Sequence, residues 1–296
     1  MRAFEYCCAE PWAIEPAALR LIAALAQRNH EASSVKERRD WTKYNFALRA
    51  GPGATKLPGA VRAVLQDGVA ILPVIGPIFP RANLFTEISG ATPVSALMND
   101  YRAAYRSSDV GAIMLLIDSP GGAVSGISAF VDLLFAGAKT KRTVAHVEGS
   151  AASAAYWIAS ATSEVTAERT GIVGSIGVVA AIPKQVQADS DGFIDVEIVS
   201  SNAPNKRPDP TSDGGASEIR ATLDAIEQQF IADVARGRGT TPKKVAAEFG
   251  QGGVKIGVAA KAAGMVDKVT NFELAFAAAK RVAREEITRR MAQRGR

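Results

Sequence analysis

The chain has 296 residues, 47% of them hydrophobic and 22% charged, with a formal net charge of +5. That length suits one large domain with appendages or two modest ones, and the composition excludes a disordered, collagenous or low-complexity protein. The charge surplus is local: Lys280, Arg281, Arg284, Arg289, Arg290, Arg294 and Arg296 face only Glu285 and Glu286 in the tail, while the rest is near neutral. A basic helical tail of this kind is a solvated face or an interaction arm, not a specific nucleic-acid reader.

The longest apolar run, residues 69–79, is broken by Pro73, Gly76 and Pro77 and is too short to span a bilayer. Glu5, Glu10, Glu15 and Arg20 argue against a secretory signal, so a cytoplasmic chain without a membrane span is expected. Cys7 and Cys8 are adjacent and have no third cysteine to pair with.

In chain order, residues 1–60 read as a helical adapter and linker. Pro16 opens a helix with Leu19, Ile22, Leu25 and Ala26 at helical spacing, and a charged stretch then runs to GPGATKLPG. From Val61, short β-type runs alternate with helical windows, the pattern of α/β layering. Residues 69–79 read as a strand pair or one bent strand, 94–105 as a helix and 112–118 as a buried strand. SPGG at 119–122 is its turn, and 124–138 is the helix that follows. Strand 142–149, helix 150–162 and strand region 171–182 repeat the β-turn-α unit, which implies parallel pairing and right-handed crossovers. VEIVS at 196–200 is a further strand candidate and the proline-rich 201–217 a loop. Ile219, Leu223, Ile226, Phe230 and Val234 then make the stripe of a long amphipathic helix that stops at the GRG of 237–239. Thr241 and Pro242 start a short helix, another ends at Gly264, and a final strand precedes a basic helical tail at 273–296.

Walker-type phosphate loops, HExxH, EF-hand loops and GxGxxG after a strand are all absent, so neither cofactor nor metal is expected. The glycine cluster SPGGAVSG suits another chemistry. Gly121 and Gly122 at the end of a buried strand either permit a tight turn or leave backbone N–H groups open as an oxyanion hole. The next unit places Ser150 and Ser153 at the start of an alanine-rich helix, as an N-cap or as a nucleophile at a helix terminus that favours developing negative charge. A serine nucleophile needs a base. His30 lies in the adapter and His146 in a strand where a structural role is expected, which leaves lysine. Lys184 and Lys206 are the downstream candidates, and either must be desolvated to act near neutral pH.

The ordered set IDSPGG at 117–122, GSAASAAYW at 149–157, GIVGSIGV at 171–178 and a lysine at 206 resembles the signal peptide peptidase A family, over residues 61–272. The opening PWAIEPAALRLIAALAQR is similar to the start of the bacteriophage capsid-assembly, or prohead, proteases in that family. The resemblance implies a Clp protease/crotonase-like α/β fold of repeated β-turn-α units, with an N-terminal helical extension and a C-terminal basic helix. It implies that Ser153 is the nucleophile, that Lys206 is the general base, and that the Ser175 hydroxyl orients the lysine amine. It also implies that the N–H groups of Gly122 and Ala154, with Gly121 beside them, bind the oxyanion. Relatives often carry His before the base where this chain has Asn205, and the RPDP flank is unusually rich in proline.

A serine endopeptidase acting through an acyl-enzyme is therefore expected. Its substrate would be a capsid scaffold, portal or other head protein, its assembly a homo-oligomeric ring, and its place the host cytoplasm or prohead. Four alternatives remain at this stage, the first a bacterial signal-peptide-peptidase-like cytosolic protease with the same dyad. An acyl-CoA hydratase of the crotonase type requires a site carboxylate and has no need for Ser153. A structural head component would carry a vestigial site. A Ser-His-Asp triad of the Clp type is disfavoured because no histidine follows His146.

Overall fold

The computed structural model describes residues 11–15, 18–20, 22, 53–82, 91–182, 184, 187, 188, 192–194, 196 and 198–294. Cys7, Cys8 and His30 lie outside the described residues. The strands are β1 (Trp12–Ile14), β2 (Thr55–Lys56), β3 (Val64–Gln66), β4 (Val69–Ile75), β5 (Ile78–Phe79), β6 (Thr92–Pro93), β7 (Ala112–Ser119), β8 (Gly121–Ala123), β9 (Thr143–Ala152), β10 (Glu164–Ala167), β11 (Ile172–Gly174), β12 (Val254–Ile256) and β13 (Lys268–Val269). The helices are α1 (Val94–Arg106), α2 (Ile127–Gly137), α3 (Ala154–Ser160), α4 (Asp213–Gly237), α5 (Pro242–Glu248), α6 (Gly257–Ala262) and α7 (Phe272–Arg294).

The fold is α/β. The main sheet runs β12-β11-β9-β7-β4-β3-β2, with β10 beside the first half of β9 and β13 beyond it. The β4–β7, β7–β9 and β9–β10 pairs are parallel, with helical crossovers as the repeated β-turn-α pattern requires. β4 and β7 are nearly continuous apolar runs because both faces of the sheet are covered. On one face Leu72, Val74, Leu115, Ile117 and Val147 pack with Leu97, Tyr101, Phe130 and Leu134 of α1 and α2. On the other, Val69, Ile71, Met114 and Leu116 meet Phe272, Ala275, Ala279 and Ala283 of α7. The small residues of α7 bring its backbone so close that a Cβ on Gly111 would lie 2.2 Å from the Ala283 carbonyl oxygen. The first turns of the basic tail are thus part of the core, and two of its cations turn back onto the sheet: Lys280 pairs with Asp67 at 2.6 Å and Arg290 donates to the Val110 carbonyl at 3.1 Å. No helix among the described residues is long and apolar enough to cross a membrane.

Residues 69–79 are closer to the expected bent strand than to a strand pair: β4 and β5 lie on either side of a bend at Gly76, which has φ +69°, and join different sheets without pairing with each other. Several segments differ from expectation. The loop expected over 201–217 contains a 3-10 turn and gives way to α4 at Asp213, and of the strand region 171–182 only Ile172–Gly174 forms β11. Of the SPGG segment, Gly121 and Gly122 belong to strand β8, not to a free turn. β8 joins a second sheet of order β1-β8-β5-β6, where it finds backbone partners on both edges. The expected strand at 196–200 is not formed at Val196 or at Ile198, Val199 and Ser200. A strand needs a neighbour to satisfy its backbone, and here the apolar Phe193, Ile194, Val196 and Ile198 are all exposed. The stripe of α4 divides in a similar way: Phe230 and Val234 are buried, whereas Ile219, Leu223 and Ile226 are only half-buried.

Candidate active site

β9 ends at Ala151 and Ala152, paired in parallel with Val173 and Gly174 of β11. The chain then reverses at Ser153, with φ 53° and ψ −120°, and enters α3 at once. A non-glycine residue in that backbone region costs about 1–3 kcal/mol and persists only where its surroundings impose it. They do so here. The Ser153 N–H donates to the Gly174 carbonyl at 2.7 Å, and every residue of α3 is buried. Trp157 stacks on Phe230 of α4 at 4.5 Å and donates its indole N–H to Asp233 at 2.9 Å. Tyr156 donates its hydroxyl to the Met265 carbonyl at 2.9 Å, and burial pushes its phenol far above the ordinary value. The resulting strand-to-helix elbow presents the serine at a helix N-terminus, where negative charge is favoured.

The glycine pair lies beside this elbow. A Cβ on Gly121 (φ +99°) would fall 3.0 Å from Ser153 Cβ and 2.9 Å from the Ala152 carbonyl oxygen. One on Gly122 would fall 1.9 Å from the Ile78 carbonyl oxygen, so only glycine lets the β8 backbone run this close to the serine. The Gly121 N–H donates to Ser119 Oγ at 3.2 Å, whereas the Ala154 N–H, the first of α3, has no acceptor within the helix. Asp118 ties the two motifs together by accepting from the Ser150 N–H at 3.0 Å. Ser150 Oγ is buried without a partner among the described residues and does not cap α3.

Ser153 is fully buried, and among the described residues its Oγ reaches only the Gly177 carbonyl, at 3.4 Å, longer than an ordinary O–H···O bond. Ser175 follows β11 with φ 53°, is almost buried, and donates its N–H to the Gly253 carbonyl at 2.8 Å. Lys206 ends a single 3-10 turn (Pro204–Lys206) and is exposed; no hydrogen bond joins it to Ser153 or Ser175. Lys184 is engaged elsewhere, with Asp209 at 2.7 Å and Thr211 at 2.7 Å; Lys184 first, then Thr211, hold the Asp209 carboxyl down at about 2. His146 is buried on the sheet face that α7 covers, with Nδ1 2.8 Å from Thr166 Oγ1 and its ring against Phe272. The structure therefore brings Ser153, Gly121, Gly122, Ala154 and the Ser175 segment together, and leaves both lysines apart from them.

One neighbour was not foreseen. Glu227 of α4 places Oε1 3.6 Å from where a Cβ on Gly177 would stand, on the residue that Ser153 Oγ faces. Burial and then the Asp224 charge raise its carboxyl above the usual range. The only hint in the sequence was its place next to Ile226 in the apolar stripe.

The match of Peptidase family S49 covers residues 136–285. Head-tail preconnector protein GP5 of Enterobacteria phage P21 is 27% identical over 263 residues, covering 84% of this chain and 52% of that protein. Protease 4 of Salmonella typhi is 25% identical over 279 residues, covering 90% and 42%. Capsid assembly protease C of Escherichia phage lambda is 26% identical over 214 residues, covering 70% and 49%. The chain thus spans about half the length of these relatives. The family match takes in α3, β11, α4 and most of α7, the elements that build and support the serine elbow, and the chain belongs to Peptidase family S49.

Proposed function

We propose that this chain is a serine endopeptidase in which Ser153 attacks a peptide carbonyl and Lys206 serves as its general base. The observation that carries the reading is the strained Ser153 elbow set against the Gly121–Gly122 backbone. A carbonyl placed there meets the serine hydroxyl on one side and the Gly122 and Ala154 N–H groups on the other, which stabilise the oxyanion as the tetrahedral intermediate forms. The hydroxyl proton passes to the lysine amine and then to the leaving amine; water hydrolyses the acyl-enzyme with the same groups in reverse.

Lys206 is exposed, and a lysine base must be desolvated to take up a proton near neutral pH, so it acts only after its loop closes over the serine. The exposed apolar side chains of Ile194, Val196 and Ile198 and the half-buried front of the α4 stripe support closure by a second copy of the chain, in a homo-oligomeric ring. Ser175 then orients the lysine amine. The named relatives from phages P21 and lambda support a head protein, such as a scaffold or portal, as the substrate, met in the host cytoplasm or the prohead. Residues 1–60, 61–272 and 273–296 are the proposed adapter, peptidase domain and basic tail.

The test is casein hydrolysis by the purified chain and its variants. Ser153→Ala and Lys206→Ala each lower the rate by at least about a hundredfold, the scale of a lost general base, while Lys184→Ala stays close to the parent. Full activity in Ser153→Ala removes the nucleophile, and full activity in Lys206→Ala removes the base.

A further inference from the structure

A backbone strand accepted on both edges is how a protease cleft holds an extended peptide. The cleft beside Ser153 already holds one. β1 pairs antiparallel with β8, with Trp12 opposite Ala123, Ala13 opposite Gly122 and Ile14 opposite Gly121. The Glu15 N–H donates to the Pro120 carbonyl at 3.0 Å and the Val124 N–H to the Pro11 carbonyl at 3.1 Å. On its other edge Trp12 exchanges both backbone bonds with Val179, at 2.9 Å and 2.8 Å. Val179 lies just past Gly177, the residue that faces Ser153 Oγ.

The register fixes what stands at the serine. Hydrogen-bonded pairs alternate along an antiparallel ladder, so the Glu15–Pro120 and Pro11–Val124 bonds make Ala13 and Gly122 the bonded pair between them. The Ala13 carbonyl therefore accepts from the Gly122 N–H, the donor assigned to the oxyanion. The same carbonyl oxygen lies 2.3 Å, and Ser153 Cβ 3.0 Å, from the one point a Cβ on Gly121 would occupy. Side chains anchor the strand. Trp12 packs edge-on against Phe79 at 5.7 Å, Ile14 joins Leu19 and Ile22, and all three residues of β1 are buried.

We propose that residues 11–15 are a tethered peptide ligand of the active site, seated as a substrate strand with Ala13 at the reacting position, and that a protein substrate enters only when this strand leaves. The identity of the cleft rests on the peptidase reading, but occupancy does not depend on turnover. A ligand on the same chain competes at an effective concentration of about millimolar, so the intact chain is closed to weak peptides. The segment also describes what the cleft takes: an extended peptide with alanine at the serine and a large aromatic residue before it.

The test uses the full chain carrying Ser153→Ala, so that nothing is cleaved, and a fluorescein-labelled peptide of residues 10–17, EPWAIEPA. Fluorescence anisotropy gives its affinity for the intact strand and for two variants that unseat it. Trp12→Ala empties the Phe79 contact, and Ala13→Asp puts a charge into a buried site. Both are checked for a cooperative melt, and either folded variant serves. The peptide is expected to bind the variant at least about tenfold more tightly than the intact chain. Equal affinity, or no binding by either form, overturns the proposal. Hydrolysis of a fluorogenic peptide by the same forms with Ser153 restored is read separately. No hydrolysis by any form counts against the peptidase reading and leaves the binding result standing.

Discussion

Ser153, the proposed nucleophile, carries a local cost. Its φ of 53° lies where glycine is at ease and a Cβ is not. Among the described residues its hydroxyl makes only the long contact to Gly177, so little stability is lost with the side chain. Ser153→Gly is therefore expected to stabilise the fold by about 1 kcal/mol, a rise of roughly 2–4 °C in melting temperature for a chain of this size, while abolishing hydrolysis. Ser153→Ala keeps the Cβ and should not gain that stability. Thermal melts of the two variants side by side check this; a Ser153→Gly protein less stable than Ser153→Ala would mean that the elbow is not strained. At this scale much of the site was legible. The small residues around Ser153 and the glycine pair could be read because close backbone approach admits nothing larger. Glu227 could not, because its nearness to Gly177 depends on where α4 lands, a tertiary fact. Nor could the seclusion of both lysines from the serine be foreseen, since spacing along the chain does not say which side of a loop faces the cleft.

Among elements, α1 ends against a buried cation. Lys141 is almost wholly buried and donates to the Ala104 and Ser107 carbonyls at 2.8 and 2.9 Å, capping the α1 C-terminus. Burial first, then the Arg290 charge, lowers its pKa to about 8, against a pull upward from Glu286. The unfolded chain holds that proton up to about 10.4. Between these values the unfolded state binds more protons than the native one, so stability rises with pH from about 8 to 10, by about 1–3 kcal/mol in all. Denaturant titrations across that range should show the rise in the parent and a flat line in Lys141→Met; the same slope in both would remove Lys141 as its source.

The long apolar runs of β4 and β7 and the stripe of α4 were plain in the sequence because burial on two faces leaves an unbroken apolar run and burial on one leaves a periodic trace. β8 read as a turn because glycines carry no such trace, and its strand character comes from β1 and β5 on either side. β1 itself, WAI ahead of Pro16, is too short to show a period, and the neighbouring helical pattern concealed it.

For the whole molecule, the exposed Ile194, Val196 and Ile198 and the half-buried front of α4 are apolar surface that a second copy of the chain would cover. If these join copies of the chain, size-exclusion light scattering gives a particle several chains in mass, and Leu223→Asp, a charge placed in the stripe, shifts it toward the monomer. A monomeric parent would mean that Lys206 must reach Ser153 within one chain. Under the proposed mechanism, the strand seated at Ser153 and the exposed lysine describe a closed, resting state, in which the cleft is filled and Lys206 stays apart until assembly and substrate exchange both occur.

The claim on which the rest depends is that Ser153 is an activated nucleophile. A fluorophosphonate probe, which reacts with the hydroxyl of an activated serine, tests it directly on the parent chain and on Trp12→Ala, with the adduct located by peptide mass mapping. The account predicts an adduct on Ser153, faster in Trp12→Ala than in the parent and absent from Ser153→Ala; an adduct on another residue, or none in either protein, would contradict it.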